Sequence, residues 1–205
     1  MIVLAESNFV LELALRQEQF EHAERILNLA EEKYLRLVVP ACSLTEPYQT
    51  LIRRRSERKQ FSRRLQAEIK LLGRSMLHAG IGAASEQVAQ TLDVGSEIER
   101  ESLEQTIGRL TQICTVPVLS LEIVRLAQTM QLGYGLEPQD AIVLASIDTA
   151  LERLGAGPKV FVNRDSKDFA TRLIEARLEE HGCRLITSFS NARQFIENEL
   201  TKEAS

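Results

Sequence analysis

The feature that most constrains this chain is an alternation of short apolar runs with longer segments of helical period. Ile2 to Ala5 (IVLA), Arg36 to Pro40 (RLVVP), Val116 to Leu119 (VPVL), Lys159 to Val162 (KVFV) and Cys183 to Ile186 (CRLI) read as strands. Between them lie patterns with apolar residues three and four apart, as in Phe9, Leu11, Leu13 and Leu15 or in Ile142, Val143, Leu144 and Ile147. Strands that alternate with helices join as right-handed crossovers, so the expected class is α/β. The expected form is a three-layer α/β/α arrangement around a central five-stranded parallel sheet.

In such a sheet, ligands bind in the crevice beyond the carboxyl ends of the strands. The first strand stops abruptly at Glu6, Ser7 and Asn8, which puts a carboxylate at that edge. Three more acids take corresponding places. Glu46 lies at the start of the helix after strand two, with Ser43 or Thr45 as its expected cap and Pro47 in its first turn; Asp140 leads the helix before strand four, and Asp165 ends strand four. Glu12, Glu122, Glu137 and Asp148 read as structural or solvated charges.

From about 56 to 113 the pattern is helical and rich in charge, which reads as a helical lobe inserted into a single domain spanning 1–205. Breaks are expected at Ala79 to Ala84 (AGIGAA) and at Asp93 to Ser96 (DVGS). With 205 residues, 44% of them hydrophobic, the chain can bury one full core. The net charge of −4 conceals an asymmetry: from Arg53 to Leu77 nine Lys or Arg face only Glu57 and Glu68, a local charge of +7 that leaves −11 elsewhere. Arg53, Arg54, Arg55, Arg58, Arg63 and Arg64 are therefore candidates for contacting nucleic-acid phosphates, or for docking a partner chain or a second copy in a homodimer. Aromatics are 5% of the chain and Phe61 is the one inside the basic run, which favours backbone attraction over base reading.

Cys42, Cys114 and Cys183 lack the spacing of a zinc site or disulfide framework, and His22, His78 and His181 are far apart. The chemistry then falls to carboxylates. Met1 opens directly into the first strand with no basic residues ahead of it, and no run approaches the roughly 18 apolar residues of a membrane span. A cytoplasmic protein without a membrane partner is expected.

The segments IVLAESNFVLEL, CSLTEPYQTL, LEPQDAIVLASI and VFVNRDSKDFA, in that order, resemble the PIN-domain family of metal-dependent ribonucleases, which includes the toxins of VapC-type toxin–antitoxin pairs. The resemblance implies strand order 3-2-1-4-5 and an acidic site formed by Glu6, Glu46, Asp140 and Asp165, with Asp168 as a neighbouring acid and Asn8 and Asn163 as polar helpers. It implies Mg²⁺ or Mn²⁺ as cofactor, RNA as substrate and an antitoxin as partner. Two positions depart from the family pattern: Glu6 stands where Asp is usual, and Asn163 where Thr or Ser is usual. The expected activity is hydrolysis of RNA phosphodiester bonds. Mg²⁺ and Mn²⁺ prefer oxygen ligands, and a bound metal acidifies and orients the attacking water. The alternative is a PIN-like RNA-binding or protein-interaction module that has lost activity. A phosphatase on a similar sheet is disfavoured, because no DxD follows strand one and no glycine-rich phosphate loop is present.

Overall fold

The computed structural model describes residues 1–74, 81–164 and 167–203, with the backbone alone at 81–86, 89 and 203. The strands are β1 (Ile2–Ala5), β2 (Arg36–Val38), β3 (Lys159–Val162) and β4 (Cys183–Ile186). The helices are α1 (Ser7–Leu15), α2 (Phe20–Glu31), α3 (Ala41–Leu72), α4 (Ile81–Ile113), α5 (Leu121–Tyr134), α6 (Pro138–Arg153), α7 (Arg172–Glu180) and α8 (Phe189–Glu203).

All pairings are parallel, in the order β2-β1-β3-β4. The expected fifth strand, Val116 to Leu119, does not form among the described residues. Only Thr115 touches the sheet, as a bridge to Val38: Val39 N donates to Thr115 O (3.1 Å) and Thr115 N to Leu37 O (2.8 Å). Pro117 has no N–H to extend that ladder, and Val118 is exposed, so two further residues gain neither bonds nor burial. The four strands occupy the relative places that the expected order assigns them, with Thr115 at the outer side of β2 where the missing strand would start.

Alternation along the strands divides the apolar residues between two cores. Val3, Ala5, Leu37, Val160 and Val162 join Phe9, Val10, Ile26, Leu27, Phe189 and Ile196 of α1, α2 and α8, together with Leu51, Leu103 and Leu110 from α3 and α4. Leu4, Val38 and Phe161 join Ile123 and Met130 of α5, Leu144 and Ile147 of α6, and Ile174 and Leu178 of α7. Each large side chain buried this way contributes about 1.5–3 kcal/mol, enough for the sheet to hold its register with so few residues per strand.

The helical region departs from expectation in its boundaries. α3 is one helix from Ala41 to Leu72, so Pro47 lies inside it rather than in its first turn, and Pro40 is its N-cap. Pro47 has no N–H to give to an intrahelical bond, and it is buried within the continuous helix. The break expected at Asp93 to Ser96 is absent: α4 runs through it, and Ser96 Oγ donates to Leu92 O (2.8 Å) within the helix. Gly95 has a helical backbone, and packing against α3 outweighs its weak propensity. Of the turn expected at Ala79 to Ala84, Ala79 and Gly80 lie outside the described residues, while the backbone of 81–84 belongs to α4. α5 likewise passes Gly133 and stops at Gly135, whose φ of 69° is the left-handed conformation that closes a helix.

α3 and α4 form a hairpin. Its base is tied to the sheet domain by Leu51, Leu103 and Leu110, by Ser102 Oγ donating to Ala14 O (2.6 Å), and by Arg109 reaching Glu24, Glu31 and Asn28 of α2.

Candidate active site

β1 and β3 are in register from Ile2↔Lys159 to Ala5↔Val162, so the next residues, Glu6 and Asn163, leave the sheet side by side. Glu6 is extended and caps α1: its Oε1 accepts from Asn8 N (3.0 Å) and its Oε2 from Ser7 Oγ (2.7 Å). A cap normally falls to Ser, Thr, Asp or Asn; glutamate serves here because its carboxylate folds back over the first turn. Asn8 Nδ2 in turn donates to Asn163 Oδ1 across a long 3.5 Å, linking the start of α1 to the end of β3.

Glu6 is only 5% exposed, and burial pushes its carboxyl up from 4.5 to about 7. The bonds from Ser7 and Asn8 pull it down, and the negative charge of Glu46 pushes it further up. Glu46 therefore lies within electrostatic reach of Glu6, brought there by the packing of α3 against α1. It is half-buried, and the buried Ser43 lies one turn before it. Two carboxylates, one nearly dehydrated, share this edge of the sheet.

Asp140 stands half-buried in the first turn of α6, as its sequence context predicts. Asp168 is half-buried beyond β3, and Asp165 lies outside the described residues. Among the described residues no three His, Cys, Asp or Glu side chains form a group that could hold a metal.

Two charges read as structural prove to be buried anchors. Glu12 of α1 is fully buried; its Oε1 accepts from Gln19 N (2.5 Å), and its Oε2 accepts from Arg164, which follows Asn163. Arg164 also reaches Glu18 at 3.4 Å and, with Asn8, Gln17 and Glu18, lines an open cavity of about 410 Å³. Arg164, just after β3, is thus pinned to α1. Asp148 of α6, also buried, accepts two bonds from Arg177 (2.8 Å each) and contacts His181 (3.0 Å), which ties the helix bearing Asp140 to α7. Nothing local marks these pairs, because their partners lie 152, 29 and 33 residues away.

The arginines of α3 divide by face. Arg58 turns toward α4, where it makes two 2.7 Å bonds to Glu99 and one of 3.2 Å to Ser96, and these bonds hold its guanidinium charged. Its charge is therefore neutralised within the hairpin. Arg54 is half-buried, and Arg55 lies near Glu97. Arg53, Arg63 and Arg64 are exposed.

Across residues 3–169 the chain matches the PIN domain family model, and no curated protein or solved structure gives a significant match. The chain belongs to the PIN domain family. Members of this family are generally nucleases and typically use divalent metals. The order of the four strands is the one the sequence resemblance implied for them. No described helix is long and apolar enough to cross a membrane.

Proposed function

We propose that this PIN domain is a Mg²⁺- or Mn²⁺-dependent endoribonuclease whose site lies at the carboxyl ends of β1 and β3. One observation carries the reading: a nearly dehydrated Glu6 with a raised pKa beside Glu46, at the edge where a parallel sheet presents its ligands. Two carboxylates so placed repel one another, and an oxygen-preferring divalent cation relieves that repulsion. Glu6, Glu46, Asp140, Asp165 and Asp168 would supply its ligands. Bound there, the metal would acidify a water and offset charge on the phosphate. The chain's own part is positional: Ser7 and Asn8 fix the Glu6 carboxylate, Asn8 and Asn163 bridge α1 to β3, and the Glu12–Arg164 pair holds the segment after β3.

Titration with Mn²⁺ and cleavage of a labelled single-stranded RNA test this reading. Binding with cleavage in the native chain, both lost in Glu46→Gln, supports it; binding of neither metal at millimolar concentration overturns it. A toxin's role would add an antitoxin in the cytoplasm, and co-purification with the product of an adjacent reading frame tests that part separately.

A second reading has its own support. Both Glu6 oxygens already accept bonds as the cap of α1, which suits a PIN module that binds RNA or protein without cleaving it. Metal-independent RNA binding without turnover at any divalent concentration would favour that reading.

A further inference from the structure

The continuity of α3 joins two features that the sequence presents separately. Glu46 at the sheet edge and the arginines of the hairpin stand on one uninterrupted helix. Arg53, Gln60 and Arg64 follow Glu46 at intervals of seven, seven and four residues, which puts all of them on one side of the helix. Burial agrees, since positions 54, 58, 62, 65 and 69 are half-buried toward α4, whereas Arg53, Gln60 and Arg64 are exposed. Phe61 lies beside this row, three residues before Arg64, with 57% of its surface exposed. From Glu46 to Arg64 is eighteen residues, or about 27 Å of helix.

We infer that this side of α3 is a track for single-stranded RNA leading away from the carboxylate edge, with Arg53 and Arg64 on the phosphates and Phe61 stacked on one base. The track rests on the endoribonuclease reading for its direction, because Glu46 marks its inner end. Its components are those of a sequence-tolerant single-strand binder: cations for the backbone and an aromatic face for a base. The span suits a short segment at the lower end of known site sizes of roughly 4–16 nucleotides. Between Arg53 and Arg64 the helix has seven cations and one acid, Glu57. A protein partner fits less well, because interface cores are depleted in charge, and the track side offers Phe61 and, at its far end, Leu71 and Leu72 as its large apolar groups rather than a continuous apolar seam.

Fluorescence anisotropy in EDTA, with labelled oligouridylates of about 4, 8 and 12 nucleotides and an RNA duplex as probes, separates binding from cleavage. Affinity should rise with length and level off near the middle of that series, and the duplex should bind more weakly. The Arg53→Gln/Arg64→Gln double variant should make the log–log salt slope shallower by about 1.4, from about 0.7 per lost contact. Phe61→Ala should weaken every single-stranded probe by about tenfold. Glu57→Gln should tighten binding, since it removes the one negative charge between Arg53 and Arg64. All four residues are exposed, and circular dichroism checks that each variant folds. Unchanged affinity and slope in all variants, no binding of any probe by the native chain, or preference for the duplex each overturns the track. So does a changed molecular mass with an unchanged slope, which would make the face a protein interface. If the variants weaken binding as expected but the native chain cleaves nothing in Mg²⁺ or Mn²⁺, the track stands and the nuclease reading fails.

Discussion

The carboxylate edge of the sheet and the outer part of the α3–α4 hairpin place charge in opposite ways. At the edge, Glu6 and Glu12 are buried and their oxygens take bonds from within the protein, so each carboxylate is held in one position. On the hairpin, Arg53, Arg63 and Arg64 face water, and of the expected phosphate-binding set only Arg58 has a bidentate clamp among the described residues. Burial makes a charge expensive and therefore specific, whereas exposure leaves it cheap, screened by salt and adaptable. The first arrangement suits chemistry that needs fixed distances, and the second suits attraction of a flexible polyanion. Substitutions at the edge should therefore have large effects that salt does not mask, while those on the hairpin should have small, salt-dependent ones.

The largest effect should come from Asp140→Asn, which keeps the shape of the side chain and removes its charge. RNA cleavage in Mg²⁺ should fall by more than about a hundredfold, exceeding the usual cost of losing an outer-shell partner, with thermal stability little changed. Full activity would separate Asp140 from the site and break the contrast at one of its half-buried acids.

Glu12→Ala comes next. It strands Arg164 against a fully buried position, and loss of one partner of a buried pair costs up to about 3–5 kcal/mol. Because Arg164 is about a third exposed and also reaches Glu18, about 2–3 kcal/mol is expected by urea unfolding. Cleavage should fall more than stability accounts for, because the segment after β3 loses its tie to α1.

Glu6 gives the edge a pH signature. Its folded carboxyl titrates near 7 against 4.5 for the ordinary group, so between those values the folded chain holds a proton that the unfolded chain has released. Stability from this group is full below pH 4.5, falls as pH rises toward 7 and is flat above. Glu6→Gln should abolish that slope and, at pH 8, exceed the native chain in stability by on the order of 3 kcal/mol. Mn²⁺ should raise the melting temperature of the native chain at pH 8 and not that of Glu6→Gln, because a cation binds the ionised carboxylate. Equal pH profiles would place Glu6 in water and remove the basis of the contrast.

The smallest effect belongs to the hairpin. Arg58→Ala removes a clamp of which a quarter or more of each side chain is exposed, so about 1 kcal/mol or less is expected, declining with added salt. A loss as large as that of Glu12→Ala would mean that the hairpin is as tightly built as the sheet.

The sequence by itself determined what depends on neighbours along the chain. Apolar runs marked β1 to β4, helical period marked α1 and α6, Glu6 appeared at a strand end and Asp140 in a first turn; each of these signals is complete within about a dozen residues. Local signals failed where distant packing outweighed them. Gly95 and Pro47 both suggested limits to helices, yet α4 and α3 pass through them because each helix is braced by the other and by the core at Leu51, Leu103 and Leu110. Val116 and Val118 have the composition of a strand, but Pro117 between them offers no donor, and only Thr115 joins the sheet. The contacts that give the site its character were decided by the tertiary structure alone: Asn8 with Asn163, Glu12 with Arg164, Arg58 with Glu99 and Asp148 with Arg177. A residue's type states that it can carry charge; only the fold states how much water it keeps, and that decides whether the charge is held for chemistry or left free for attraction.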